Sequence, residues 1–277
     1  MLPICTIFTK NENEGRWIII ITSLQNEQVK LAKSLILHKK RMEKGLFLIE
    51  GVRSVFDVLK FQKPFKIFIT NELVEVYAST LSIYENELCI VSRQVLQSIS
   101  DTKTSQGIVA IFAIPHPKQL SSRNILLLDR INDPGNLGTI IRSAAAFNFL
   151  DIILYNCVDA FNPKVIRSSM AGFVFVNIII SNNLDISLME LKKQNYTIFC
   201  ADMKGENYLQ YKTNNSPLSD KQKTVAKNCI IIGNEADGIN QKIQEKVDKV
   251  LSIPMHNVES LNAAVAASIL MAHLSNL

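Results

Sequence analysis

The stretch that most constrains this chain runs from Leu126 to Phe149, LLLDRINDPGNLGTIIRSAAAFNF. Leu126, Leu127 and Leu128 are apolar without alternation, the pattern of a strand covered on both faces, and Asp129 closes the run. Asn132, Asp133, Pro134, Gly135 and Asn136 then favour a turn. Gly138 permits close backbone approach, and the stretch from Thr139 to Phe147 reads as a helix carrying Ala144, Ala145 and Ala146. The turn is neither Gly-x-Gly-x-x-Gly nor Gly-x-x-x-x-Gly-Lys-Ser/Thr, so dinucleotide-binding and P-loop readings lack their defining residues. From these residues alone, an ordinary strand-to-helix connection is an equally good reading.

The C-terminal half repeats the alternation. Strands are predicted at Asp151 to Tyr155, Phe173 to Ile180, Tyr196 to Ala201 and Cys229 to Ile232, with helices at Asn162 to Ser169 and Leu184 to Lys193. The polar stretch Asn207 to Lys227 reads as an exposed connection with one short strand at Tyr208 to Tyr211. Two segments near the end stand out. Gly233, Asn234, Glu235, Ala236, Asp237, Gly238 and Ile239 follow an apolar strand; Leu251, Ser252, Ile253, Pro254 and Met255 lead through a polar loop to Glu259, Ser260, Leu261, Asn262 and an Ala-rich helix. Strands alternating with helices predict a parallel sheet covered on both faces.

The N-terminal half reads as a smaller α/β unit. Residues 1–20 show no usable periodicity and are taken as a leader or edge segment. Val29, Leu31, Leu35 and Ile36 then recur at helical spacing among Lys30, Lys33, Lys39, Lys40 and Arg41, a basic face that is equally an ordinary solvated one. Strands follow at Phe47 to Ile49, Phe65 to Ile69, Leu88 to Val91 and Gly107 to Ala113, with helices at Val52 to Leu59 and Gln94 to Ile99. Pro115, His116 and Pro117, with Lys118 to Arg123, have linker character. The expected division is therefore 1–20, 21–113, a linker at 114–123, and 124–277.

Composition narrows the classes. At 277 residues and 47% hydrophobic, the chain can bury one large core or two modest ones, and its net charge of +5 permits a polyanionic partner without requiring one. The five cysteines are odd in number and scattered, without Cys-x-x-Cys or Cys/His pairing, which predicts a reduced cytoplasmic setting and no metal. His38, His116 and His256 stand alone, without metal-ligand spacing. Lys10, Glu12, Glu14 and Arg16 interrupt the N-terminal hydrophobics, so no membrane anchor or export signal is expected.

Three blocks in this order, PGNLGTIIR, GNEADG and IPMHNVESLNAAVAA, resemble the signature motifs of the SpoU (TrmH-type) RNA ribose methyltransferases of the SPOUT superfamily. SLQNEQVKLAKSLILHKKRMEKGLFLIEG, from Ser23, resembles the start of the substrate-binding domain that many of these enzymes carry, and QGIVA, from Gln106, its end. The resemblance covers about residues 21–275. It implies an α/β protein whose C-terminal parallel-sheet domain holds a deep trefoil knot, an exception to unknotted topology, preceded by a smaller α/β substrate-binding domain. It implies S-adenosylmethionine as methyl donor, an RNA acceptor with ribosomal RNA (large subunit) favoured, and a homodimer. Ala263, Ala264, Ala266, Ala267 and Ser268 suit close passage of chain segments in a knot, and equally a tightly packed core helix.

The same resemblance assigns site residues. Gly233, Ile253 and Leu261 match backbone positions that hold the cofactor's adenosine. Asn136, Arg142, Glu235, Ser260 and Asn262 match catalytic positions: Arg142 clamps phosphate or stabilises the oxyanion of the deprotonating 2′-hydroxyl, an activated base form being the minor alternative. Asn136 orients Arg142 or the ribose, Glu235 fixes the second-motif turn, and Ser260 with Asn262 bind the target nucleotide, although as isolated residues those two are simple helix caps. Lys30, Lys39, Lys40, Arg41, Arg53 and Arg167 are expected to contact RNA phosphates. Two departures from the family pattern bear on activity. Ala236 stands where many relatives have Gly, and only His256, Asn257 and Val258 separate Pro-Met from Glu-Ser, where relatives have a Gly and one residue more. The alternatives are a transfer RNA methyltransferase and a catalytically silent RNA-binding relative.

Overall fold

The computed structural model describes residues 6–10, 17–122, 124–211, 227–234 and 238–275. The chain forms two compact units: one reaches to Pro115 and takes in Phe161–Arg167, and the other comprises His116–Ala160 and the chain from Ser168 onward.

In the first unit β1 (Thr6–Lys10) pairs antiparallel with β2 (Trp17–Ile21); the rest of residues 1–16 lies outside the described residues. There follow α1 (Glu27–Ser34), α2 (His38–Lys44), β3 (Leu46–Glu50), α3 (Val52–Leu59), β4 (Lys66–Ile69), α4 (Asn71–Val76), α5 (Ala78–Leu81), β5 (Leu88–Ile90), α6 (Arg93–Ile99) and β6 (Ile108–Ala113). The sheet order is β3-β6-β4-β5, antiparallel except for the β4/β5 pair. Val29, Ala32 and Leu35 of the first helical stretch, Val95, Leu96 and Ile99 of α6, and Phe68, Val109 and Ile111 of the sheet close one core. The expected helix over Val29–Ile36 breaks before the basic run. Gly45, at φ 62°, ends α2 in the left-handed conformation that glycine adopts without steric cost.

The second unit contains β7 (Asn124–Asp129), α7 (Pro134–Ala146), β8 (Asp151–Tyr155), α8 (Pro163–Ser169, whose first five residues cluster with the first unit), β9 (Asn177–Ser181), α9 (Leu184–Lys193), β10 (Tyr196–Asn207), β11 (Lys227–Ile232), α10 (Gln241–Gln244), β12 (Lys249–Ser252) and α11 (Ala263–Leu274). Among the described residues its six strands are all parallel, in the order β12-β10-β11-β7-β8-β9. The apolar run before Asp129 lies in the sheet interior: Ile125, Leu126, Leu127 and Leu128 are fully buried. Each such side chain contributes about 1.5–3 kcal/mol of hydrophobic stabilisation. At the start of β7 and β11, buried Asn124 and Asn228 satisfy one another, Asn228 Nδ2 donating to Asn124 Oδ1 at 3.0 Å across 104 positions of sequence. That pairing answers the requirement that interior polar groups find partners.

Three local expectations fail for physical reasons. The helix begins at Pro134, not Thr139, because Asp133 accepts from the Asn136 backbone N–H at 2.8 Å as an N-cap and proline is pre-set for the first helical position. The residues that suggest a turn also start helices. The strand begins at Asn177, not Phe173: Gly172–Phe175 form a 3-10 turn pressed against α7, where a Cβ on Gly172 would lie 3.0 Å from the Arg142 Cα. Tyr208–Gln210 is also 3-10, not strand. The segment that reads as a linker is pinned to the second unit. Ser121 and Ser122 donate backbone N–H groups to Asp151 at 2.8 and 2.6 Å, and Asn177 brackets Lys118.

Candidate active site and cofactor cavity

The strand order places the site. From β7 the chain steps outward to β8 and β9, then continues on the other side with β10, β11 and β12, so the order reverses between β7 and β11. In open parallel sheets ligands bind beyond the carboxyl ends of the strands at such a reversal. A cavity of about 380 Å³, of the size of a small-molecule site, lies on the β11 side of that reversal, at the carboxyl ends of β11, β10 and β12. Its walls come from Ile232, Gly233, Asn234 and Gly238 after β11, Ala201, Asp202 and Met203 along β10, Ile253 and Met255 after β12, and Ser260, Leu261 and Ala263 at the head of α11. Gly233, Ile253 and Leu261, the three expected cofactor-contacting residues, therefore line one space.

Gly233 has a steric reason to be glycine. A Cβ there would lie 2.6 Å from Ile239 Cγ1 and 2.7 Å from the Gly238 backbone. The turn after β11 is also held from outside. Arg130, in a left-handed conformation at φ 58°, forks onto Asp129 at 3.1 and 3.0 Å, and its Nη2 donates to the Gly238 carbonyl at 3.0 Å. Asn234 Nδ2 donates to the Arg130 carbonyl at 2.9 Å, and Gly238 N–H to the Asn234 carbonyl at 2.9 Å. Sequence reasoning missed Arg130, taking Asp129 only as the end of a strand. The available signal was an acid-base pair directly after an interior strand.

Asn262 caps α11, accepting from Ala264 N–H at 2.9 Å, and its Nδ2 donates to Asn136 Oδ1 at 2.9 Å. The structure thus brings the first and third motifs into contact. Ser260 lines the cavity, whereas Asn136, Asn262 and Arg142 do not. Arg142 is exposed on α7 and has no hydrogen-bond or ion-pair partner among the described residues. Glu235 and Ala236 lie outside the described residues. In the shortened third-motif loop Asn257 takes φ 64°, a conformation that asparagine tolerates better than most residues.

The basic residues divide. Lys30 and Lys39 are exposed, and the Arg53 side chain is 81% exposed, 3.7 Å from Asp57. Lys40 pairs with Glu43 at 2.7 Å. Arg41 is a correction: it is 1% exposed, and its Nη1 donates to the Leu35 and Ile36 carbonyls at 2.7 Å each. It satisfies the carbonyls at the end of α1 and is not available to RNA. Arg167 is held by Glu50 at 2.7 Å and Asp101 at 2.8 Å, all three within the first unit, so a phosphate would have to displace two carboxylates.

The cysteines among the described residues are unsuited to nucleophilic work. Burial pushes the Cys157 thiol up to about 11 and Cys200 to about 12, and raises Cys229 further still. Among the described residues no group of His, Cys, Asp and Glu could hold a metal, and no helix is long and apolar enough to cross a membrane.

Residues 123–272 match the model of the SpoU rRNA Methylase family, and residues 26–110 that of the MRM3-like substrate binding domain. The chain is 30% identical to the 23S rRNA (guanosine(2553)-2'-O)-methyltransferase RlmP of Bacillus subtilis (strain 168), over 92% of this chain and 98% of that one. It is 31% identical to the mitochondrial rRNA methyltransferase 3 of Homo sapiens, over 83% of this chain and 67% of that one. An AdoMet-bound rRNA methyltransferase from Sinorhizobium meliloti superposes with a TM-score of 0.78 at 26% identity, covering 91% of this chain and 95% of that chain.

Proposed function

Since the chain belongs to the SpoU rRNA methylase family, we propose that it transfers the methyl group of S-adenosylmethionine to a ribose 2′-hydroxyl of ribosomal RNA, with the large subunit favoured. One observation carries this reading: the cavity at the carboxyl ends of β11, β10 and β12 is lined by all three motif positions expected to hold adenosine, with the third motif bonded to the first through Asn262 and Asn136.

The residues present fit the cofactor. Its adenine ring matches the apolar Ile232, Leu251, Ile253 and Leu261, and main-chain groups at Gly233 in the cavity wall are placed to read adenine and ribose edges. Bound there, S-adenosylmethionine supplies an electrophilic sulfonium methyl. The protein must then hold a 2′-oxygen in line and accommodate its loss of a proton, so positioning accounts for much of the acceleration. Arg142, exposed and without a protein partner among the described residues, holds a phosphate or the developing oxyanion. Asn136 and Asn262 present a fixed amide pair to the target nucleotide, and Ser260 adds a hydroxyl at the cavity wall. Glu235 is assigned the second-motif turn on the family pattern alone.

Lys30, Lys39 and Arg53 supply sequence-independent phosphate contacts, with Lys40 available once it exchanges Glu43 for phosphate. The active form is a homodimer whose interface uses α7 and α11. The exposed apolar residues Met170, Phe175 and Val265, on and beside the elements packed around α7, support that choice. The trefoil knot and a cytoplasmic location complete the reading.

The test is methyl transfer from labelled S-adenosylmethionine to deproteinised ribosomal RNA from cells lacking this protein, with ribose methylation mapped. A single wild-type-dependent site, lost in Arg142→Ala, is the expected result. Transfer to transfer RNA alone would replace the substrate, and absence of cofactor binding would make this a silent RNA-binding relative.

A further inference from the structure

We propose that Arg130 is a positioning residue for the cofactor: with Asp129 it holds Asn234 and Gly238, two residues of the cavity wall after β11, in place. The inference deepens the proposed function and rests on it for the identity of the ligand.

The clamp has four parts. Asp129, 1% exposed, ends the interior strand β7 and fixes the Arg130 guanidinium through Nε and Nη2, a two-point fork that sets its plane. The same Nη2 donates to the Gly238 carbonyl, and Asn234 returns a bond to the Arg130 carbonyl. Asn234 and Gly238 both line the cavity, and Gly238 itself sits at φ 61°. Arg130 is therefore bonded to both ends of the turn, through side chain and main chain. Its left-handed φ is unusual for a residue with a Cβ, and such strain persists where surrounding contacts over-determine it. Arg130 does not line the cavity, so it acts through the turn.

A lysine at this position keeps the charge but cannot fork onto Asp129 and reach the Gly238 carbonyl in one plane. An alanine removes the side-chain bonds and leaves the backbone bond from Asn234. The consequence should be looser cofactor binding without impaired chemistry in the fraction that is loaded.

The experiment compares the full-length wild type with Arg130→Lys and Arg130→Ala. S-adenosylmethionine affinity is measured by calorimetry, kcat at saturating cofactor by methyl transfer, and amide hydrogen exchange over residues 233–239 without cofactor. We expect the cofactor Kd to rise about ten-fold or more in Arg130→Ala and less in Arg130→Lys. Over the same series kcat at saturation should stay within about two-fold, and turn amides should exchange faster in both variants while amides of β7 and β11 do not. Unchanged affinity, or a loss of kcat with affinity intact, would overturn the proposal. If Arg130→Ala does not fold, Arg130→Lys decides by the same readouts. Should the wild type bind no S-adenosylmethionine, the functional reading falls, and turn exchange alone then judges the clamp, unchanged exchange in Arg130→Lys overturning it.

Discussion

The Asn262 side chain does two things at once: its oxygen caps α11 and its amide nitrogen donates to the Asn136 side chain at 2.9 Å, 126 positions earlier in the chain. Capping and alignment of the two motifs can be separated by substitution. Asn262→Ser keeps a good cap but is too short to reach Asn136, so stability should change by less than about 0.5 kcal/mol while methyl transfer falls. Asn262→Ala should lose both, with about 1 kcal/mol of stability gone in denaturant titration. Equal transfer in the serine variant and the wild type would leave Asn262 as a cap alone.

Arg142 has the opposite profile. It is exposed and unpartnered among the described residues, so Arg142→Ala should leave the melting temperature unchanged. Methyl transfer should drop by about 100-fold or more, as when a single oxyanion donor is removed, with cofactor affinity retained. A large fall in stability would show that the side chain supports the fold.

At Gly233 the crowding is with the Ile239 side chain and also with the Gly238 backbone, which cannot rotate away. Gly233→Ala should weaken cofactor binding and lower stability by about 1–3 kcal/mol, the usual cost of overpacking, as read by calorimetry and thermal melts. Wild-type affinity in that variant would mean that the turn relaxes freely.

Two neighbouring basic residues should behave differently. Arg41→Met removes a buried guanidinium that satisfies two carbonyls and should destabilise the protein by about 1.5–3 kcal/mol. Lys39→Ala should leave stability alone and reduce the slope of log affinity for RNA against log salt by about 0.9. Salt titrations of RNA binding by the two variants, with melting curves, distinguish structural from phosphate-facing basic groups.

Asp151 gives a pH signature. Burial works against its charge, but hydrogen bonds from Asn177, Ser121 and Ser122 outweigh it and hold the carboxyl below the usual aspartate range. A folded pKa below the unfolded one means that the contribution is complete above about pH 3.9 and is lost as the pH falls toward the lowered value. Asp151→Asn should therefore flatten the acid limb of the stability curve below about pH 4. An identical acid limb would remove Asp151 from the account.

The sequence made the sheet legible because interior parallel strands are apolar without interruption, as at Leu126–Leu128 and Cys229–Ile232. The helix start at Pro134 was hidden because capping and turn residues are the same few types. The Phe173 stretch misled because an aromatic and β-branched run has strand composition wherever it folds. In the site, three motif positions converge on one cavity, yet Arg130 escaped notice, since a clamp that acts through another segment has no local pattern. Arg41 was misread for a related reason: charge is visible in a sequence, whereas the two carbonyls it satisfies are not.

The asparagine pair that joins β7 to β11 also sets a timetable. At the usual 5–20 residues per second of synthesis, the 104 positions between Asn124 and Asn228 take roughly five to twenty seconds to emerge. Through that interval the nascent chain carries β7 with one ladder of amides and carbonyls unfilled, beside leucines meant for an interior. Until its neighbour is made, the most buried strand of the finished sheet is an adhesive edge, and this chain's need for a protecting chaperone should be greatest before residue 228 leaves the ribosome.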